Sequence, residues 1–346
     1  MDGTILLFLV QDGITNGAIY ALLGIALVLV FAVTRVIFIP QGEFVAFGAL
    51  TYALLESGRL PGTVWLLAGF GVVAFVFDVA AMRRSGGSGR RLVAAMVADL
   101  AVPAALVAVA AGVAGRELGA ATHFALTVAL IAPLGPLLYK IAYRPIAGAS
   151  VLTLLIASVG VHLALVGLGL FFFGAEGLRA PAMSSLMVSA GPLIITGQSI
   201  AVYVVTLVAI VALWLFFERS LWGKALRATA VNRLGARLVG IRTDFSGTLA
   251  FGLAAGVGAV SGILVAPMTT IYYDTGFLIG LKGFVAAIIG GLASHPLTAA
   301  AALAVGSVES LASFFASDLK EIVVFSLILP VLLWRSLKHV HVEEED

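Results

Sequence analysis

Lys224 to Ile241 reads KALRATAVNRLGARLVGI and lies between two apolar runs, 198–217 and 245–269, each long enough to cross the roughly 30 Å of a bilayer's hydrocarbon core. Leu226, Ala230, Leu234 and Leu238 recur every four residues and so share one helical face, with Lys224, Arg227, Arg233 and Arg237 spread over the remainder. A basic helix between two spans has two physical readings. It lies on anionic headgroups with its leucines dipped into the acyl boundary, or it is a docking helix whose apolar ridge seats in the groove of a soluble partner. Periodicity alone leaves both open.

The flanking runs are typical of the whole chain. At 61% hydrophobic and 11% charged residues, with a mean hydropathy of +1.13, there is too little polar surface to coat a soluble globule. The expected fold is therefore an all-α polytopic membrane protein forming a single transmembrane domain over 1–346. A net charge of +2 is too small to point to nucleic acid. With no cysteine, disulfides, thiolate metal sites and a cysteine nucleophile are excluded. The opening MDGTILLFLVQDG has no Lys or Arg ahead of its apolar run, so the first helix is expected to stay in the protein rather than to be a cleaved signal.

Runs of spanning length fall near 12–34, 62–81, 93–113, 122–141, 149–174, 198–217, 245–269, 297–316 and 320–335. Two apolar segments, 42–55 and 279–293, fall short of the roughly 17 residues of a comfortable span and are expected to be tilted, broken or re-entrant. That gives about nine to eleven transmembrane or re-entrant helices. Counting both short segments as crossings puts the N-terminus outside and the C-terminus inside. The inside loops then hold Arg35, the cations of 83–91, Lys140, Arg144, the six cations from Arg219 to Arg242, and Arg335 with Lys338, which is fifteen of the twenty Lys and Arg. Arg59, Arg116, Arg179, Lys282 and Lys320 are left outside. Cytoplasmic retention of basic loops predicts this bias, and it places 224–241 in the cytoplasm.

No engine is visible in the chain. A P-loop needs G-x-x-x-x-G-K-[ST], and Gly223-Lys224 is followed by Ala225 and preceded five residues earlier by Glu218. Ser/His/Asp and H-E-x-x-H patterns are absent, and a solvated tail is the economical account of His339 and His341. The chain is read as a transport subunit and not an enzyme, with no cofactor or metal of its own.

Charges inside spans are few. A carboxylate at a helix centre costs about 2.5–3.5 kcal/mol on the insertion scale, so Glu309, well inside 297–316, is expected to face the protein interior, as a hydrogen-bonded structural group or on the substrate path. Glu43 opens the short segment 42–55 beside Pro40, and with Gln41 it is the best candidate for lining a path, because broken backbone entries are tolerated only against protein or water. His162 reads as a satisfied core histidine, and Asp78 and Asp99 as partners of the basic run near 82–92. Gly252 and Gly256, and Gly283, Ala287 and Gly291, form small-residue stripes suited to close helix packing or to gating, which makes Gly256 a further path candidate.

Four stretches carry a family resemblance. They are NGAIYALLGIALVLVFAVTRVIFIPQGEFVAFGA at 16–49, YRPIAGASVLTLLIASVGV at 143–161, the 224–241 segment, and LKGFVAAIIGGLAS at 281–294, followed by Glu309 and VVFSLILPVLLWRS. In this order the chain resembles, over nearly its whole length, the membrane subunit of an ATP-binding-cassette importer of the high-affinity branched-chain amino-acid permease type. It departs from the family's pattern at Phe38-Ile39-Pro40-Gln41-Gly42 and at Arg335-Ser336, and residues 82–121 look like an inserted hairpin.

The resemblance implies a permease fold in a bacterial inner (plasma) membrane, with 218–244 as the cytoplasmic coupling loop. It matches Arg227-Ala228, Ala230, Ala236 and Gly240-Ile241 to the family's coupling loop, and Arg233, Leu234 and Arg237 from the helical pattern complete the expected coupling helix. It also implies a second homologous permease subunit, two cytoplasmic ATP-binding subunits that hold ATP and Mg, and an extracytoplasmic solute-binding protein. Branched-chain or related small amino acids are then the expected cargo, with urea, amides and small carboxylates left open. The rival reading is an ion-coupled secondary transporter of a small polar solute with Glu309 or His162 as the coupling site. Its mark would be an inverted repeat with matching broken helices.

Overall fold

In a computed structural model, residues 3–85, 89–116, 118–191 and 193–338 are described. The tail with His339 and His341 and the middle of the 83–91 run lie outside them. The order of elements is α1 (Gly3–Thr34), α2 (Gln41–Glu56), α3 (Thr63–Ser85), α4 (Gly89–Met96), α5 (Val102–Val113), α6 (Ala120–Ile131), α7 (Leu134–Leu138) and α8 (Val151–Phe173). A short hairpin follows, β1 (Met187–Ala190) and β2 (Leu193–Thr196), paired antiparallel with Met187 opposite Thr196. The chain continues with α9 (Gly197–Arg219), α10 (Leu221–Val231), α11 (Arg233–Leu238), α12 (Thr243–Val265), α13 (Gly276–Ile289), α14 (His295–Phe315), α15 (Lys320–Ser326) and α16 (Ile328–Lys338).

Eight stretches of described helix are long and apolar enough to cross a membrane, so the fold is that of an all-α polytopic membrane protein. The expected final span 320–335 is broken at Leu327 into α15 and α16. The two short segments are half-length helices: α2 has 16 residues and α13 has 14, or about 24 and 21 Å of rise, both short of the bilayer core. Each follows a longer helix across a break marked by a proline, Pro40 before α2 and Pro267 just past the end of α12.

Small residues decide which helices meet. In lipid there is no hydrophobic drive between apolar helices, so close backbone approach supplies the contact. A Cβ on Gly13 or Gly17 of α1 would strike Ser307 or Leu303 of α14, and one on Gly262 of α12 would strike the Val45 carbonyl of α2. These contacts gather α1, α2, α12, α13 and α14 into an inner group. Around it α8 and α9 present long apolar side chains outward, among them Leu152, Ile156, Leu163, Leu207 and Val208. Ser150, Thr196, Ser220, Asn232 and Ser294 cap the helices that follow them, each side chain accepting from a backbone N–H three residues on.

The segment containing α4 and α5 is tied down by charge. Lys140 Nζ lies 2.5 Å from Asp99 Oδ1 and 3.2 Å from Asp78 Oδ2, and Arg144 Nη1 donates to Asp78 at 3.1 Å. Among the described residues, Asp78 thus pairs with Lys140 and Arg144 and Asp99 with Lys140, across the fold and not along the local sequence. The reason is geometric: Asp99 points inward from a π-helical turn, 97–101, towards a second π-helical turn, 139–143, that carries Lys140.

Candidate translocation and coupling sites

The two half-length helices start against each other in the middle of the bundle. Gln41 Nε2 donates to the carbonyl of Ala254 at 2.9 Å, and Ala254 is the midpoint residue of the 23-residue α12. Gly42, one residue on, touches the backbone of Gly276 and Gly280 so tightly that neither helix leaves room for a Cβ. The first turn of α2 therefore crosses the first turn of α13 level with the midpoint of α12. Glu43 in that turn is 1% exposed and favoured by the helix N-terminus. Its Oε1 lies 2.7 Å from Nδ1 of His162 on α8, while its Oε2 has no partner. The His162 ring stacks on Phe277 of α13 with centroids 4.5 Å apart. One histidine thereby ties an outer helix to both half-helices.

A second group of charges anchors α13 further along. Lys282 Nζ lies 2.5 Å from Glu309 Oε1 on α14 and 3.1 Å from Glu321 Oε1 on α15. Tyr20 of α1 donates its hydroxyl to Glu309 Oε2 at 2.6 Å. Lys282 is 6% exposed, so it belongs to the interior and not to an outside loop. A lysine there is tolerated because its charge is compensated at contact distance.

At the end of the bundle formed by the last turn of α1 and the first turn of α12, α10 and α11 run as two helices and not one. Asn232 breaks them with φ −148° and ψ 101°, and its side chain caps α11 at the Gly235 N–H. The expected continuous face is split by this turn. Leu226 packs on Leu29, Val33 and Ala250 and is 1% exposed, whereas Leu234 and Leu238 are 68% and 81% exposed. The arginines are also redirected. Arg233 Nη1 donates to the Ala147 carbonyl at 3.1 Å and Arg237 Nε to Thr243 Oγ1 at 3.0 Å, so each ties α11 to a neighbouring segment, Arg237 from an exposed position. Arg227 pairs with Glu218 at 2.7 Å, between exposed side chains.

The family described as "Branched-chain amino acid transport system / permease component" matches residues 9–332. The chain belongs to this family. The permease is 27% identical to the high-affinity branched-chain amino acid transport system permease protein LivH of Salmonella typhimurium over 348 residues, covering 96% of the chain and 95% of that protein. LivH of Escherichia coli K12 is 27% identical over 351 residues, with the same coverage. The permease protein BraD of Pseudomonas aeruginosa is 30% identical over 222 residues, 61% of this chain and 71% of its own.

Of the residues singled out in the sequence, the permease brings Gln41 and Glu43 to the half-helix crossing and buries both. Gly256 is half-buried and lies beside Ala132, away from Gln41; Gly258 is the glycine packed against Gln41 and Phe44. Glu309 joins the Lys282 group and is well separated in sequence and partners from Glu43. Gly291 leaves the helical stripe, because it lies past the end of α13 with φ +80°. Ala236 is buried under α11, Ala230 is half-buried, and Gly240 turns the chain with φ +86°. Sequence reasoning missed Lys282, Tyr20 and Phe277. The cost of an amine inside a span was the available signal for Lys282, once α13 is recognised as an interior helix.

Proposed function

We propose that the permease carries branched-chain or closely related aliphatic amino acids across a bacterial inner membrane as the membrane half of an importer. The observation that carries this reading is the meeting of α2 and α13 at Gly42, Gly276 and Gly280, with Glu43 buried in the crossing. Half-helices that start at the membrane midplane put backbone N–H groups, small residues and a carboxylate where a polar cargo must pass. A paired but incompletely satisfied carboxylate contacts a passing ammonium group without trapping it.

The partners in this reading are a second homologous permease subunit, two cytoplasmic ATP-binding subunits and an extracytoplasmic binding protein that captures the amino acid and sets specificity. The N-terminus is outside and the C-terminus cytoplasmic, which puts α10 and α11 within reach of the ATPases. Docking then runs through the exposed Val231, Leu234, Leu238 and Val239, while Arg233 and Arg237 transmit the pull to residues 147 and 243. ATP and Mg are bound by the partner subunits, whose closure drives rigid-body rocking of the packed helices.

The test is uptake of labelled leucine, isoleucine and valine into vesicles containing the assembled importer, with and without ATP inside the compartment reached by the ATPases. ATP-dependent accumulation supports the reading. Accumulation driven by an ion gradient without ATP contradicts it.

A further inference from the structure

The three ionisable groups around Lys282 are not equivalent. Glu309 uses both carboxylate oxygens, one accepting from Lys282 and the other from Tyr20. Glu321 uses one, because its Oε1 faces Lys282 at 3.1 Å while its Oε2 is buried without a partner. The Glu309 side chain is 10% exposed and the Glu321 side chain 32%, so the stem of Glu321 already reaches the surface. Withdrawing Glu309 from Lys282 leaves the lysine to Glu321 and strands the Glu309 carboxylate, 10% exposed, on the Tyr20 hydroxyl alone. Withdrawing Glu321 leaves Lys282 neutralised by Glu309 and takes an under-satisfied carboxylate out of the interior.

The groups also sit on different bodies. Lys282 is on the half-helix α13, Glu309 and Tyr20 are on the long helices α14 and α1, and Glu321 is on the seven-residue α15, which follows a 3₁₀ turn at 317–319. We propose that Glu321 is the releasable arm of a latch on α13. The Lys282–Glu321 contact opens and re-forms as α13 moves during transport, and Glu309 with Tyr20 keeps the lysine compensated throughout. Glu321 is then a positioning residue that sets when the half-helix is free to move. This inference rests on the reading of α13 as part of a moving path.

The experiment uses the chain's lack of native cysteine. Spin labels at Leu278→Cys on α13 and Ile322→Cys on α15, both exposed positions, report the distance between the two helices in vesicles. In the full importer, Glu321→Gln is expected to broaden that distance distribution towards longer values. It is also expected to raise substrate-free ATP hydrolysis several-fold and to lower uptake per ATP. Glu321→Asp, which keeps the charge and shortens the arm, should shift all three readouts in the same direction by less, and it carries the test if the glutamine variant fails to insert. A distance distribution and ATPase rate unchanged from the parent in the inserted variant overturn the proposal. A parent protein with no ATP-driven uptake contradicts the importer reading instead, and is recognised by the control before any variant is compared.

Discussion

Helices α1 and α8 are both apolar enough to span a membrane, yet 89% of the most apolar stretch of α1 is buried inside the protein and 17% of that of α8. Hydropathy marks what enters the bilayer and does not sort inner helices from outer ones. The sorting follows from close approach and from charge. On α1, Gly13, Gly17 and Gly24 meet neighbouring helices so tightly that a methyl group has no room, whereas Gly160 and Gly167 of α8 face open space. The interior also collects the paired charges Glu43, Lys282 and Glu309. The one charged or titratable side chain that α8 contributes to this interior, His162, is the one that reaches Glu43.

The sharpest way to break this comparison is to add volume on each side of it. Gly42→Val places side-chain atoms on the Gly276 carbonyl and is expected to abolish folded yield, measured by detergent size exclusion, because backbone cannot retreat as a side chain can. Gly160→Val should leave yield at the parent level. Equal loss at both positions would remove the distinction between inner and outer glycine.

A smaller effect is expected where charge and not volume is changed. Glu43→Gln keeps a hydrogen-bonding group beside His162 and removes the carboxylate, so the protein should insert, bind its partners and lose several-fold in maximal uptake rate with little change in half-saturating substrate. His162→Ala leaves the carboxylate buried without its partner, at a cost of about 1–3 kcal/mol, and should reduce thermal stability as well as rate. A rate unchanged in both would return these residues to packing.

At the coupling end, Leu234→Asp with Leu238→Asp is expected to preserve insertion but cut ATP-dependent uptake at least tenfold, because a docking contact loses its apolar anchors. Arg233→Ala should show a milder loss of coupling, through loosening of α11 from Ala147. If the order of the two effects is reversed, the arginines and not the leucines meet the partner. The smallest effect is expected on the outer face, where Leu163→Ala on α8 should shift stability by no more than about 0.5 kcal/mol.

How much of this could be read from the sequence differs between regions for physical reasons. The long spans follow from apolar length alone. The half-helices α2 and α13 were legible because their apolar runs are too short to cross, and α2 also begins directly after Pro40. The coupling segment was legible as an element and misread in detail, since Asn232 is compatible with a helix by periodicity but caps a new one here, rotating Leu234 and Leu238 away from Leu226. The destinations of Arg233 and Arg237 depend on Ala147 and Thr243, which the spacing within 224–241 does not encode. Lys282 was counted with the loops because a charge tally assigns every lysine near a short segment to water. The pairing of Asp78 and Asp99 with Lys140 and Arg144 needed the fold, since local sequence offers nearer arginines.

The central claim is that the crossing of α2 and α13 lies on the transport path, and thiol access in a cysteine-free chain tests it most directly. Gln41→Cys sits at the crossing and Leu163→Cys on the outer face, and each is exposed to a membrane-impermeant thiol reagent in the assembled importer with the ATPases nucleotide-free and then trapped with nucleotide. The account predicts that Gln41→Cys reacts in one state and is protected in the other, with Leu163→Cys indifferent to state. Gln41→Cys that remains unreactive in both states would contradict it.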